Sequence, residues 1–245
     1  MSRPRVVIIV QARMGSSRLP GKVLMDLHGR PLLERQIERL RRSMTADAIV
    51  IATSTHARDD AIVQAAERLG LGVFRGQEDD VLARYAGAAD VFGADVVVRV
   101  TADCPLIDPG ILDRCVARLL ADDDLDYVSN TIQRTYPRGL DVEVLRHGVL
   151  EVAHREAAEP DDREHVTRFV WRQPERFRLG GEAAAEDHSA LRWTVDTQED
   201  LDVVRAVYDA LYPERPDFDY GDALAHAAEH PDVHARNRHV RQKPA

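Results

Sequence analysis

With 245 residues, a formal charge of −9, 44% hydrophobic and 31% charged residues, the chain has the composition of an ordinary soluble protein with room for one substantial core. The acidic balance argues against a nucleic-acid binder, whose footprint is a basic face, but leaves room for a local basic cleft. Two cysteines, Cys104 and Cys115, give neither a disulfide framework nor a metal-ligand cluster. The N-terminal apolar run is too short for a signal peptide and no stretch spans a bilayer, so a reducing cytoplasm is the expected setting.

In chain order, Val6 to Val10 reads as a strand buried on both faces, breaking into a loop with Gly15, Ser16, Ser17, Pro20, Gly21 and the cations Arg13, Arg18 and Lys22. Pro31 to Ser43 puts Leu32, Leu33, Ile37 and Leu40 on one helical face. Ala48 to Ala52 is a second buried strand ending at Thr53, Ala61 to Leu69 a helix closed by Gly70, and Gly72 to Arg75 a third strand. Asp79-Asp80 precede a helix over 81–93, Asp95 to Val100 is a fourth strand stopped by Thr101–Pro105, and Pro109 starts a helix to Leu120. Further on, Asp126 to Ser129 and Gly139 to Leu145 read as strands, Glu164 to Arg172 as a helix and Gly180 to Ser189 as a loop. Leu191 to Val195 reads as a strand delivering Asp196, with a helix over 197–211 behind it. Residues 1–231 form one expected domain, followed by a polar, basic tail over 232–245 that is either an arm or disordered.

Strands alternating with helices predict an α/β fold built of βαβ units with a mostly parallel sheet, and such sheets bind ligands beyond the carboxyl ends of their strands. The loops after the first, second and fourth strands therefore share one edge. Free N–H groups beside fixed cations in the first loop form a phosphate seat. Its spacing fits neither the dinucleotide fingerprint nor a Walker A loop, because five residues separate Gly15 from Gly21-Lys22 and Val23 follows. Asp103 and Asp196, each trailing a strand, are a candidate Mg²⁺ pair, although from spacing alone helix capping is the stronger reading for Asp196, and the two roles can coexist. Asp141 and Glu143 should face one side of their strand, and Cys104 reads as a packing residue. Asp122-Asp123-Asp124 resembles a sugar-transferase Asp-x-Asp motif but follows a helix, where a solvated turn is the simpler reading.

QARMGSSRLPGKVL, GQEDDVLAR, VRVTADCPLIDP, GLDVEV, REHVT and RWTVDTQEDL together resemble the acylneuraminate cytidylyltransferase family, and within it the spore-coat-polysaccharide cytidylyltransferase-like branch. The resemblance runs from residue 6 to about residue 202. It implies a Rossmann-like, three-layer nucleotide-diphospho-sugar transferase fold, CTP as donor, Mg²⁺ as cofactor and a sugar-acid acceptor of the nonulosonate or 3-deoxy type. By matching position, Arg13, Gly15, Ser16 and Lys22 contact the triphosphate, with Gln11, Ala12 and Thr53 completing the nucleotide set. Asp103 and Asp196 hold the metal, and Asp141 and His165 lie near the acceptor. Arg138 and Arg192 are candidates for its carboxylate, Arg168 being a third. Arg13, Lys22 and Asp103 are the expected catalytic groups, Asp80 and Arg84 belong to a family signature, and about 134–190 is the expected acceptor and homodimer region. A phosphate or phosphonate acceptor, or a glycosyltransferase of the same fold, are the alternatives.

Overall fold

The computed structural model describes residues 3–242. The chain runs β1 (Val6–Gln11), a short ribbon of β2 (Asp26–Leu27) and β3 (Arg30–Pro31), α1 (Leu32–Leu40), β4 (Ala48–Ser54), α2 (Asp60–Arg68), β5 (Gly72–Gly76), α3 (Val81–Phe92) and β6 (Val96–Thr101). There follow α4 (Pro109–Ala121), β7 (Tyr127–Ser129), β8 (Glu143–Arg146), α5 (His147–Glu156), α6 (Pro160–Glu164), α7 (Arg168–Trp171), β9 (Leu179–Gly181), α8 (Gln198–Leu211), α9 (Tyr220–Glu229) and α10 (Pro231–Ala235).

Seven strands form one sheet in the order β5-β4-β1-β6-β8-β7-β9. All pairings are parallel except those of β8, which runs antiparallel between β6 and β7. The sheet is therefore mostly parallel, as expected. Val6, Ile8 and Val10 pack with residues of α1, α2 and α4 on one face, while Val7 and Ile9 pack with α3 and α5 on the other. Burial on both faces explains why β1 shows no polar alternation. A third core, containing Leu201, Val204, Val207, Trp193 and Phe218, gathers around α8. In β1, Gln11 is in register with Ala52 of β4 and Thr101 of β6, so the three following loops leave one edge of the sheet together.

Four local expectations need correction, and a fifth, open between an arm and disorder, resolves to an arm. Leu191–Val195 joins no sheet; its one bridge is Arg192 to Arg138, and Val195 N donates to Asp103 O at 2.8 Å. Its alternation still holds, because Trp193 and Val195 enter the third core. The helix expected over 164–172 breaks between α6 and α7, where buried Val166 takes φ +56°. Glu143 starts β8, so 139–142 lie outside the ladder, and the start of the 180–189 loop is β9. Beyond Asp232, α10 and a following arm pack onto the body, with His234 and Asn237 buried.

Candidate active site

The loop after β1 folds back on one carbonyl: Ser16 N and Gly21 N both donate to Met14 O at 3.0 Å. Fully buried Asp59 holds its start by accepting from Met14 N at 2.8 Å. A Cβ on Gly15 would lie 2.7 Å from Arg58 Nη2, the far end of a partly exposed side chain paired with Glu78, so a larger residue there would displace that guanidinium. The turn sends Lys22 beneath the loop. There its Nζ lies 2.9 Å from Asp103 Oδ2, 2.8 Å from Asp196 Oδ1 and 2.7 Å from Val195 O.

Two carboxylates thus converge on one buried ammonium. Thr101, two residues earlier on the same side of the chain, donates to Asp103 Oδ1 at 2.6 Å. Asp196 Oδ2 receives Arg18 at 2.8 Å and Arg192 at 2.7 Å. Burial alone would raise both carboxyls and lower the ammonium. The mutual attraction outweighs it, so Asp196 titrates below its ordinary value, Asp103 down at about 2, and Lys22 above its ordinary value. Neither aspartate is a helix cap. Thr197 caps α8 in a reciprocal pair with Asp200, and Asp108 caps α4 through Ile111 N.

Two connected hollows open on this cluster. A cleft of 160 Å³ is lined by Gln11, Arg13, Ser16, Arg18, Lys22 and both aspartates, among others. The second, of 860 Å³, shares Gln11, Arg13, Arg18 and Asp103 and is walled by Arg138, Asp141, Glu143 and His165. Of the sequence-derived residues, Gly15 thus sits at the loop, and Arg138, Asp141 and His165 around the larger hollow. Ala12, Thr53 and Arg192 are not brought to a hollow. Ala12 is buried with its N–H spent on Ala52 O, and the Thr53 side chain is fully enclosed. Arg192 lies underneath, its guanidinium taken by Asp196, Asp200 and Gln242. That network positions Asp196; it does not face an acceptor.

Several wall residues escaped sequence reasoning. Arg134 pairs with Asp141 through two hydrogen bonds of 2.7 and 2.8 Å. Glu143 accepts from Tyr127 OH at 2.7 Å and is also bound by Arg99 and Thr167. These partners come from separate elements, so no local spacing reveals them. Thr101 had a signal in its offset of two from Asp103. The signature residues Asp80 and Arg84 have structural work. Asp80 caps α3 and holds Arg163 of α6 at 2.6 and 3.0 Å, beside cavity residues Glu164 and His165. Arg84, buried, donates to the carbonyls of Gln77 and Glu78. Asp122 ends α4, which starts just after the site edge, so the Asp-x-Asp run sits at the opposite end of that helix; Asp123 is fully exposed there. Cys104 is buried, and burial pushes its thiol well up, so it packs rather than reacts.

A sequence model described as cytidylyltransferase matches residues 7–229. The spore coat polysaccharide biosynthesis protein SpsF of Bacillus subtilis is 34% identical over 236 residues, covering 93% of this chain and 96% of that protein. The 3-deoxy-manno-octulosonate cytidylyltransferase of Chromohalobacter salexigens is 40% identical over 123 residues, 48% of this chain and 46% of its own. Among solved structures, a cytidylyltransferase from Leptospira borgpetersenii superposes with a TM-score of 0.91 at 32% identity, over 99% of this chain and 100% of that one. A CMP:2-keto-3-deoxy-manno-octonic acid synthetase complexed with CTP shares the fold, with a TM-score of 0.66 at 20% identity over 84% and 98% of the two chains.

Proposed function

The chain belongs to the cytidylyltransferase family, and on that footing we propose that it transfers CMP from CTP to a hydroxyl of a sugar acid and releases pyrophosphate. The observation that carries this reading is the Lys22–Asp103–Asp196 cluster beneath a phosphate-seating loop, opening directly into a second cavity large enough for an acceptor. In the reaction the acceptor oxygen bonds to the α-phosphorus, the bond from that phosphorus to the oxygen bridging to the β-phosphate breaks, and the hydroxyl proton is released. Such transfer asks mainly for positioning and charge stabilisation. Arg13, Arg18 and Lys22 line the smaller cleft and offset the charge growing on the leaving pyrophosphate, whereas the N–H groups of Met14, Ser16, Leu19, Gly21 and Lys22 are spent within the protein.

Magnesium is the proposed cofactor. Asp103 Oδ2 and Asp196 Oδ1 already converge on one cationic point, taken by Lys22 Nζ, and an all-oxygen pair of this kind suits a hard dication shared with phosphate oxygens. When bound, it would supply Lewis-acid neutralisation of phosphate charge between those two carboxylates.

For the acceptor's acid group, Arg138 is the proposed reader. It faces the larger cavity without an ion pair among the described residues, and burial, then neighbouring Arg134, lower its guanidinium from the ordinary value. An incoming carboxylate would relieve both. Its backbone is fixed from two sides, Arg138 N donating to Leu191 O and Trp193 N to Arg138 O. The relative named for spore coat polysaccharide supports placing the product in surface-polysaccharide synthesis, and a homodimer, testable by light scattering, belongs to the same reading. The deciding experiment is pyrophosphate release with CTP, Mg²⁺ and a panel of 3-deoxy sugar acids beside phosphate and phosphonate acceptors. Turnover confined to the sugar acids supports the reading; turnover only with the phosphorus acids overturns it.

A further inference from the structure

The segment after α10 is largely exposed, yet it is tied to the body of the protein. Asn237, buried, donates from Nδ2 to Arg192 O and to Asp200 Oδ1, both at 2.9 Å. Arg241 O accepts from Arg18 Nη1 at 3.2 Å, and Gln242 Oε1 accepts from Arg192 Nη1 at 2.8 Å. Arg18 and Arg192 are the two guanidiniums that hold Asp196 Oδ2. Residues 237–242 are therefore tied at three points to the machinery around Asp196, and the last of them lines the 860 Å³ cavity.

The chemistry of the last contact orients the amide. A guanidinium only donates, so the oxygen of Gln242 must face Arg192 and its N–H₂ group must face elsewhere. No partner for those two N–H groups is present among the described residues, and Gln242 shares the cavity with Arg138, Asp141 and His165. Gln242 is exposed at the rim of that cavity, so its N–H₂ group is open to an oxygen entering there while its carbonyl is held by Arg192.

We propose that Gln242, carried by the tied segment 237–242, belongs to the acceptor site as a specificity-determining residue that donates from its amide to an acceptor oxygen while Arg192 holds its carbonyl. This rests on the larger cavity being the acceptor site, as read above. The surface that recognises the acceptor then includes a residue far in sequence from most of the other wall residues.

Two variants test it, Gln242→Ala and Gln242→Glu. Glutamate keeps an acceptor for Arg192 but lacks the N–H₂ donor, so a role limited to holding Arg192 would be rescued by it. The expected result is that the acceptor KM rises about threefold to tenfold in both, the worth of one hydrogen bond, while the CTP KM shifts less than twofold and the thermal midpoint is retained. An acceptor KM unchanged in Gln242→Ala, or restored in Gln242→Glu, overturns the assignment of the arm alone. Failure of the wild type to turn over any sugar acid overturns the acceptor reading and this assignment together.

Discussion

Lys22 decides the electrostatics of the site, because two carboxylates within 2.9 Å of it have no other ammonium to share. Removing it leaves Asp103 facing Asp196 with no cation between them, Asp196 keeping Arg18 and Arg192, and takes a cation from the cleft where pyrophosphate would leave. Lys22→Ala should lower turnover by about 10²–10³, read as the initial rate of pyrophosphate release, with the circular dichroism spectrum of the folded protein retained. Acid should reach this cluster late. Asp103 is held down at about 2, so the stability it contributes is present above its ordinary 3.8 and is lost only as pH falls toward 2. Lys22 and Asp103 were legible in the sequence because each follows a strand whose burial is obvious. Asp196 was ambiguous, since a one-residue shift in where α8 begins converts a cap into a site residue, and only the Thr197–Asp200 pair settles it. Thr53 and Arg192 show the limit of that logic. Position at a strand end or motif match places a residue near the edge, but side-chain direction is set by partners distant in sequence, as Asp200 and Gln242 are for Arg192.

Among the elements, the central strands could be read directly, because four aliphatic-rich segments separated by helices leave one economical arrangement. The segment 191–196 could not. Its apolar alternation describes which side chains are buried and says nothing of whether its backbone joins a ladder. Trp193 and Val195 are buried in the third core, while the backbone bonds to the loops at Asp103 and Arg138. The contact that makes this possible is Gly139, at φ +105°, where an added Cβ would lie 2.4 Å from Thr194 N and 2.5 Å from Trp193 C. Both the backbone conformation and the space forbid a side chain, and the obstacle is backbone rather than a mobile side chain. Gly139→Ala should therefore destabilise the protein by about 2 kcal/mol or more, measured by urea unfolding, and should raise the acceptor KM through displacement of Arg138.

Across the whole molecule, the sheet edge gathers loops from the first half of the chain while α8 to α10 and the arm close the site from the other end. This long-range closure was the part least legible beforehand, because a polar, basic stretch carries no hydrophobic period to announce that it packs. His234 supplies the anchor. Trp193 Nε1 donates to its Nδ1 at 3.2 Å, and its Nε2 meets His226 Nδ1 at 3.2 Å. Burial first, then His226 and His230, with Asp232 opposing, push His234 down to about 4. A histidine whose folded pKa lies below 6.5 binds fewer protons folded than unfolded between those values, so stability falls as pH drops from 6.5 toward 4. Between pH 7 and 5 the wild type should lose roughly 1–2 kcal/mol at this site. His234→Asn, whose amide oxygen can still accept from Trp193, should lose measurably less, by urea unfolding followed through Trp fluorescence. The central claim concerns chemistry at the other end of that closure, and phosphorus NMR of CTP, Mg²⁺ and a sugar acid reads it most directly. Wild-type protein should convert the three triphosphate resonances into one phosphodiester signal plus pyrophosphate in step with acceptor consumption, and Asp103→Asn should slow this by about 10²-fold or more. A phosphodiester formed at the wild-type rate by Asp103→Asn, or no phosphodiester with any sugar acid, would contradict it.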